Sequence, residues 1–329
     1  MTIIIFCFIL VLTSLISSCE SEELTPISEF AENENVIIFQ RYTQGEGIQI
    51  VLVADGYQNQ NETIATLYQM YKHLFEVEPY PALKDYFTVI GITQVDSLGI
   101  TTIKDQYTCN TSNLSAKVQE AAGLKSLYNT AIVISVSPEL PYKRSCTWII
   151  NNHHKESIAL CAFAKMNDEY RRYILAHEVG GHALGGLDDE YVEIKGQIPD
   201  YKIASIESWQ RKGMLLNITF NEELPDDWQK LQDAFGEEAV NLYEGGGLYN
   251  EGVYRSSKNS IMRHQSSNYN IVTEFLIWQS VIAYKARQKT NVQEFIDYKK
   301  QSRALSLDNY STATEIPDSL HGRVIRLTE

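Results

Sequence analysis

The chain is 329 residues long, with 44% hydrophobic and 21% charged residues, an ordinary globular composition. A formal net charge of −14 argues against nucleic acid or an anionic membrane surface as a partner, since either requires clustered Lys and Arg. The cysteines exclude a disulfide scaffold: beyond Cys7 and Cys19 only Cys109, Cys146 and Cys161 remain, at most one internal disulfide with a thiol left over, and no pair has zinc-ribbon spacing.

Residues 2–16 form an apolar run too short to span a bilayer comfortably, placed where a signal peptide belongs, although no Lys or Arg precedes it. The run ends in Ile16-Ser17-Ser18-Cys19, which resembles a bacterial lipobox whose Cys becomes the acylated first residue of the mature protein. The following Glu20-Ser21-Glu22-Glu23 is similar to the acidic tags that send Bacteroides-type lipoproteins to the outer face of the outer membrane. We therefore expect a lipoprotein signal peptide over 1–18, an acidic tether over 19–35 and a single folded domain over 36–329, with lipid at Cys19 as the membrane anchor.

The folded part opens with an expected strand at Ile48–Val53 and a turn at Asp55-Gly56-Tyr57. A helix follows from about Asn61, where Ile64, Leu67, Tyr68, Tyr71, Leu74 and Phe75 recur at the spacing of one buried face, and Pro79 and Pro81 end it. Further strands are expected at Phe87–Ile92, at Ala131–Val136 after a polar stretch around residues 110–113, and at Ser157–Phe163. Strands alternating with helices imply a layered α/β core.

The next helix starts near Asn167, a good N-cap followed by Asp168 and Glu169, with Tyr170, Tyr173, Ile174 and His177 on one stripe. It leads into residues 177–191, His-Glu-Val-Gly-Gly-His-Ala-Leu-Gly-Gly-Leu-Asp-Asp-Glu-Tyr. His177 and His182 offer two imidazoles for a divalent metal, and Glu178 stands where a zinc peptidase keeps its general base. The histidines are five positions apart, not four. A regular helix would place such rings about 140° apart around its axis instead of about 40°. The pattern therefore requires a one-residue π bulge at Gly180 and Gly181 to return His182 to the face of His177. Gly185 and Gly186 then stop the helix, so that Asp188, Asp189 or Glu190 can swing back as third ligand.

Beyond the site, a helix is expected at 226–242, with Trp228, Leu231, Phe235 and Leu242 on one face. Gly245-Gly246-Gly247 suits a loop whose backbone approaches something closely, a helix is expected at 273–287, and the last thirty residues are polar enough to wrap the surface.

Together these segments resemble the IgA peptidase family of bacterial zinc metallopeptidases (metallopeptidase family 64). Its signature, His-Glu-x-Gly-His followed by Gly-Leu-x-Asp-Glu-Tyr, stands here as residues 177–182, with one extra glycine, and 186–191. The Asp55-Gly56-Tyr57 turn and the blocks Gly252-Val253-Tyr254-Arg255 and Asn259-Ser260-Ile261-Met262-Arg263 agree in order. The resemblance implies a metzincin-like zinc peptidase fold: a twisted mixed sheet with the active-site helix, a smaller helical C-terminal subdomain and a methionine turn under the metal, for which Met262 is the matching position. It implies Zn2+ held by His177, His182 and Asp189, with Asp188, reached by metzincin counting, as the alternative third ligand.

Residues 177–191 and the family likeness point to one function, an exported endopeptidase that hydrolyses peptide bonds through a metal-activated water with Glu178 as base. Tyr254, Arg255, Arg263 and His264 are positional candidates for oxyanion support. The expected partner is a protein or peptide substrate, the protein acting as a monomer. The competing reading is a surface-binding lipoprotein in which the inserted glycine has misaligned the ligands; the intact Glu178 speaks against it.

Overall fold

The computed structural model describes residues 35–42, 47–151, 156–263, 268–286, 290–305 and 323–326. The expected signal peptide, Cys19, nearly all of the tether, His264, the end of the 273–287 helix and most of the polar C-terminal stretch lie outside the described residues.

In chain order the elements are β1 (Val36–Gln40), β2 (Ile48–Ala54), α1 (Gln60–Leu74), α2 (Tyr80–Leu83), β3 (Phe87–Ile92), β4 (Thr101–Ile103), β5 (Gln106–Thr108), α3 (Thr111–Ala121), β6 (Thr130–Ser135), β7 (Cys146–Asn151), β8 (Glu156–Cys161) and α4 (Asp168–Ile174). A π-helical segment, Leu175–Leu184, continues α4. There follow β9 (Val192–Gln197), α5 (Asp200–Gln210), β10 (Ile218–Thr219), α6 (Asp226–Phe235), β11 (Tyr243–Gly246), β12 (Leu248–Arg255), α7 (Ile271–Ala286), α8 (Val292–Leu305) and β13 (Arg323–Arg326).

The main sheet is mixed and twisted, with strand order β1-β3-β2-β6-β8-β7-β13. Its centre, β3-β2-β6-β8, is parallel; β1 runs antiparallel to β3, β7 antiparallel to β8, and β13 parallel to β7. β2 and β6 read as near-continuous apolar runs because both faces are covered. Asn59 caps α1 by accepting from the Asn61 amide, and the buried stripe of α1 centres on Thr63, Leu67, Met70 and Leu74. Tyr68 and Tyr71 sit at its rim against Phe39 of β1. The buried stripe is thus shifted relative to the expected one, with the two tyrosines half-buried and the Tyr71 hydroxyl donating to Gln40. Asn110, expected in a polar stretch, caps α3.

Three expectations for the C-terminal half are corrected. The 226–242 helix stops at Phe235, because Gly236 takes φ 94° and turns the chain away. Gly245 and Gly246 lie in β11, and of the three glycines only Gly247, at φ 52°, stands in the turn into β12, with Leu248 at φ 76° beside it. The C-terminal part is not simply helical: in addition to α5–α8, β10-β12-β11, with β9 parallel to β12, form a second sheet with its own small core of Ile198, Ile206, Leu215, Ile218, Tyr249 and Val253. Among the described residues no helix is long and apolar enough to cross a membrane. Cys109, Cys146 and Cys161 are all free thiols.

Candidate metal centre

Asn167 caps α4 as its sequence position predicts, its side chain accepting from the Tyr170 amide. Past Ile174 the helix widens, and π geometry extends over ten residues, further than a single-residue bulge. A wider helix puts residues five apart on one face, and the rings of His177 and His182 meet edge to face with centroids 4.7 Å apart. Tyr80 donates to Gly180 O at 2.6 Å and Tyr269 donates to Ala176 O, so two buried phenols hold carbonyls of the widened turn.

The glycines have a packing role that sequence spacing does not reveal. A Cβ on Gly180 would lie 2.8 Å from the Tyr80 ring and closer still to the Tyr269 hydroxyl, and a Cβ on Gly181 would collide with Met262 Sδ. Gly180→Ala is therefore expected to cost about 1–3 kcal/mol by overpacking and to loosen the π segment. Chemical denaturation against the parent measures this; an equally stable variant would show that the two tyrosines yield freely.

The π segment lies beneath β6, β7 and β8, with α1 and α7 also against it. After it, Gly186 at φ 62° reverses the chain, and Asp189 returns to the histidines. Asp189 Oδ1 is 3.2 Å from His177 Nε2 and 3.1 Å from His182 Nε2, and the two Nε2 atoms are 3.2 Å apart. Three tetrahedral zinc ligands at about 2.0–2.1 Å from the ion would stand about 3.3 Å from one another, so the triangle is the right size. Asp188 is not in the cluster: its Oδ1 accepts from the Asp189 amide and its own amide donates to Asn217.

Protonation sharpens the fit. His177 Nδ1 is 2.9 Å from Ile261 O and His182 Nδ1 is 2.9 Å from Leu187 O. A carbonyl only accepts, so both Nδ1 atoms carry protons, and it is the Nε2 atoms that face each other and the Asp189 carboxylate, free to ligate when unprotonated. A bound cation relieves that convergence. Burial alone would raise the Asp189 pKa, but the two imidazoles hold it well below the usual carboxylate range. No protein-family model matches this chain, and no curated protein matches it either.

Glu178 is fully buried beside the triad. Its Oε2 accepts from Thr147 of β7 at 2.6 Å, whereas Oε1 has no hydrogen-bond partner among the described residues. Burial pushes its pKa up, with His177, His182 and the Thr147 hydrogen bond opposing.

Glu190, the other acid of the stretch, is also buried and is a brace. It accepts from Ser260 at 2.5 Å, Asn217 at 3.0 Å and Asn270 at 3.1 Å, while its amide donates to Met262 O at 2.8 Å. The glycine turn does approach closely, as its composition suggests: the Gly247 amide donates to Asp189 O at 2.8 Å. Met262 is fully buried against Gly181.

Of the oxyanion candidates, the three that lie among the described residues are engaged elsewhere. Tyr254 reaches Glu222, Arg255 gives its guanidinium to the carbonyls of Tyr243, Glu244 and Gly245, and Arg263 donates to Lys258 O. The Asp55-Gly56-Tyr57 turn, just after β2, bonds to Leu98 between β3 and β4 and to Ser135 at the end of β6, not to the triad. Thr147, Asn217 and Asn270 were not foreseeable, each lying 27 or more residues from the acid it holds. Ser260 alone carried a signal, as part of the 259–263 block.

Proposed function

We propose that the protein is a zinc-dependent endopeptidase with a metzincin-like fold. The observation that carries this reading is the buried triangle of His177 Nε2, His182 Nε2 and Asp189 Oδ1, with Glu178 Oε1, unpartnered among the described residues, beside it. Nitrogen and oxygen donors at these separations suit zinc, and the carbonyls on both Nδ1 atoms support the reading by orienting each Nε2 toward the triangle. Export as an outer-membrane lipoprotein through Cys19 is part of the same proposal and rests on the leader sequence.

Bound zinc would supply a Lewis acid that acidifies water and polarises a peptide carbonyl. The chain's own residues do the rest. Thr147 pins Glu178 Oε2, which leaves Oε1 to take a proton from the attacking water. As the C–N bond breaks, Glu178 returns that proton to the leaving amine. A cavity of about 250 Å³, walled by Ile149, Leu184, Leu187, Met214 and Leu276, adjoins the residues after His182 and suits an apolar substrate side chain.

The full chain should bind one zinc per molecule and cleave members of a peptide library, with a chelator abolishing cleavage and added zinc restoring it. Stoichiometric zinc without cleavage would favour the binding-lipoprotein reading; no zinc at all would remove the metal centre.

A further inference from the structure

We propose that the C-terminal strand β13 is autoinhibitory, occupying the sheet edge along which a peptide must lie to meet Glu178 and the triad. The claim of inhibition rests on the peptidase reading; the claim that β13 shields the site does not.

The argument begins at β7. This strand carries Thr147, whose hydroxyl is 2.6 Å from Glu178 Oε2, so β7 is in direct contact with the proposed base. One edge of β7 is paired with β8. An extended peptide could add only at the other, where main-chain hydrogen bonds would hold it irrespective of its sequence. Among the described residues β13 takes that edge, with Val324 opposite Thr147, Ile325 opposite Trp148 and Arg326 opposite Ile149. Paired strands stand about 4.8 Å apart, so the β13 backbone runs one strand spacing from the residue that grips Glu178.

β13 also lies against the π segment itself. With the strand in place His177 and Glu178 are 0% exposed, His182 1% and Asp189 2%. No peptide can reach a carboxylate and three ligand atoms so enclosed, and β13 is the segment that stands in the β7 lane. It contributes no residue to the triad. Its pairing is parallel to β7 and only four residues long, a ladder short enough to be displaced without unfolding the core.

The test uses the full-length chain carrying Val324→Pro and Ile325→Pro, because proline has no N–H to give a ladder. Metal-stripped parent and variant are treated with diethylpyrocarbonate, and modification of each histidine is followed by mass spectrometry. We expect His177 and His182 to react at least about tenfold faster in the variant, as opening of a locally closed site predicts. His73, buried on α1 and bonded to Glu76, serves as the unfolding control. If His73 also accelerates, the single Val324→Pro variant is read in the same way. Hydrogen exchange over residues 146–149 reports whether the edge has opened. Unchanged labelling of His177 and His182 with an opened edge overturns the proposal, and so does an edge already open in the parent. The zinc-loaded pair is then assayed on the peptide library, where the variant should cleave at least about tenfold faster. Faster labelling with no cleavage by either protein would keep the shield and defeat the peptidase reading; faster labelling with equal cleavage by both would defeat the autoinhibition.

Discussion

His182→Ala should lose zinc and peptide cleavage together. His182 supplies one corner of a triangle whose sides are 3.1 to 3.2 Å, and its ring is fixed by Leu187 O behind it. If a four-coordinate zinc site is worth about 10–16 kcal/mol, one imidazole accounts for roughly 3–4 of it, or about 10²–10³ in affinity. Zinc at equal concentration should then stabilise the parent against heat and leave the variant unmoved, since binding to the folded state alone raises stability. Metal analysis after gel filtration, with melting curves in the presence and absence of zinc, reads this directly. Full zinc occupancy in the variant would place the metal somewhere other than the triad.

Glu178→Gln separates binding from chemistry. The amide keeps the shape of the carboxylate, and its oxygen can still accept from Thr147, so the variant should fold and hold one zinc. What it loses is the lone-pair charge at Oε1, the atom that nothing else in the described site engages. A positioned general base contributes about 10²–10⁴ to rate, and cleavage should fall by that factor. Parallel zinc titration and library cleavage on parent and variant give the comparison. Activity within tenfold of the parent would remove Glu178 from the mechanism, whatever the metal does.

The fold was partly legible. β2, β6 and β8, buried on both faces, and β3, with its alternating buried positions, stand within about a residue or two of where their sequences put them, because burial leaves a strong local signal. Edge and flanking strands escaped. β1 and β9 to β12 are short or half-exposed, and what makes each a strand is its neighbour across the ladder.

The five-residue histidine spacing by itself demanded a widened helix, since no regular one aligns the rings; that the π segment runs over ten residues, with Tyr80, Tyr269 and Met262 packed against it from other elements, appears only in the tertiary structure. Residues 177–191 also contained every donor of the triad and the proposed base, because ligands grouped along one turn need only local geometry to converge. The choice of Asp189 over Asp188 could be suggested by a family signature, but the placement comes from the Gly247 amide on its carbonyl, the Asn217 amide oxygen on the Asp188 N–H, and the reversal at Gly186. Thr147 on Glu178, the brace around Glu190 and the strand on the outer edge of β7 belong to the tertiary structure alone. Each joins segments 27 to nearly 180 residues apart, and a buried polar atom takes whatever partner the packed fold brings to it, which no local pattern of residues encodes.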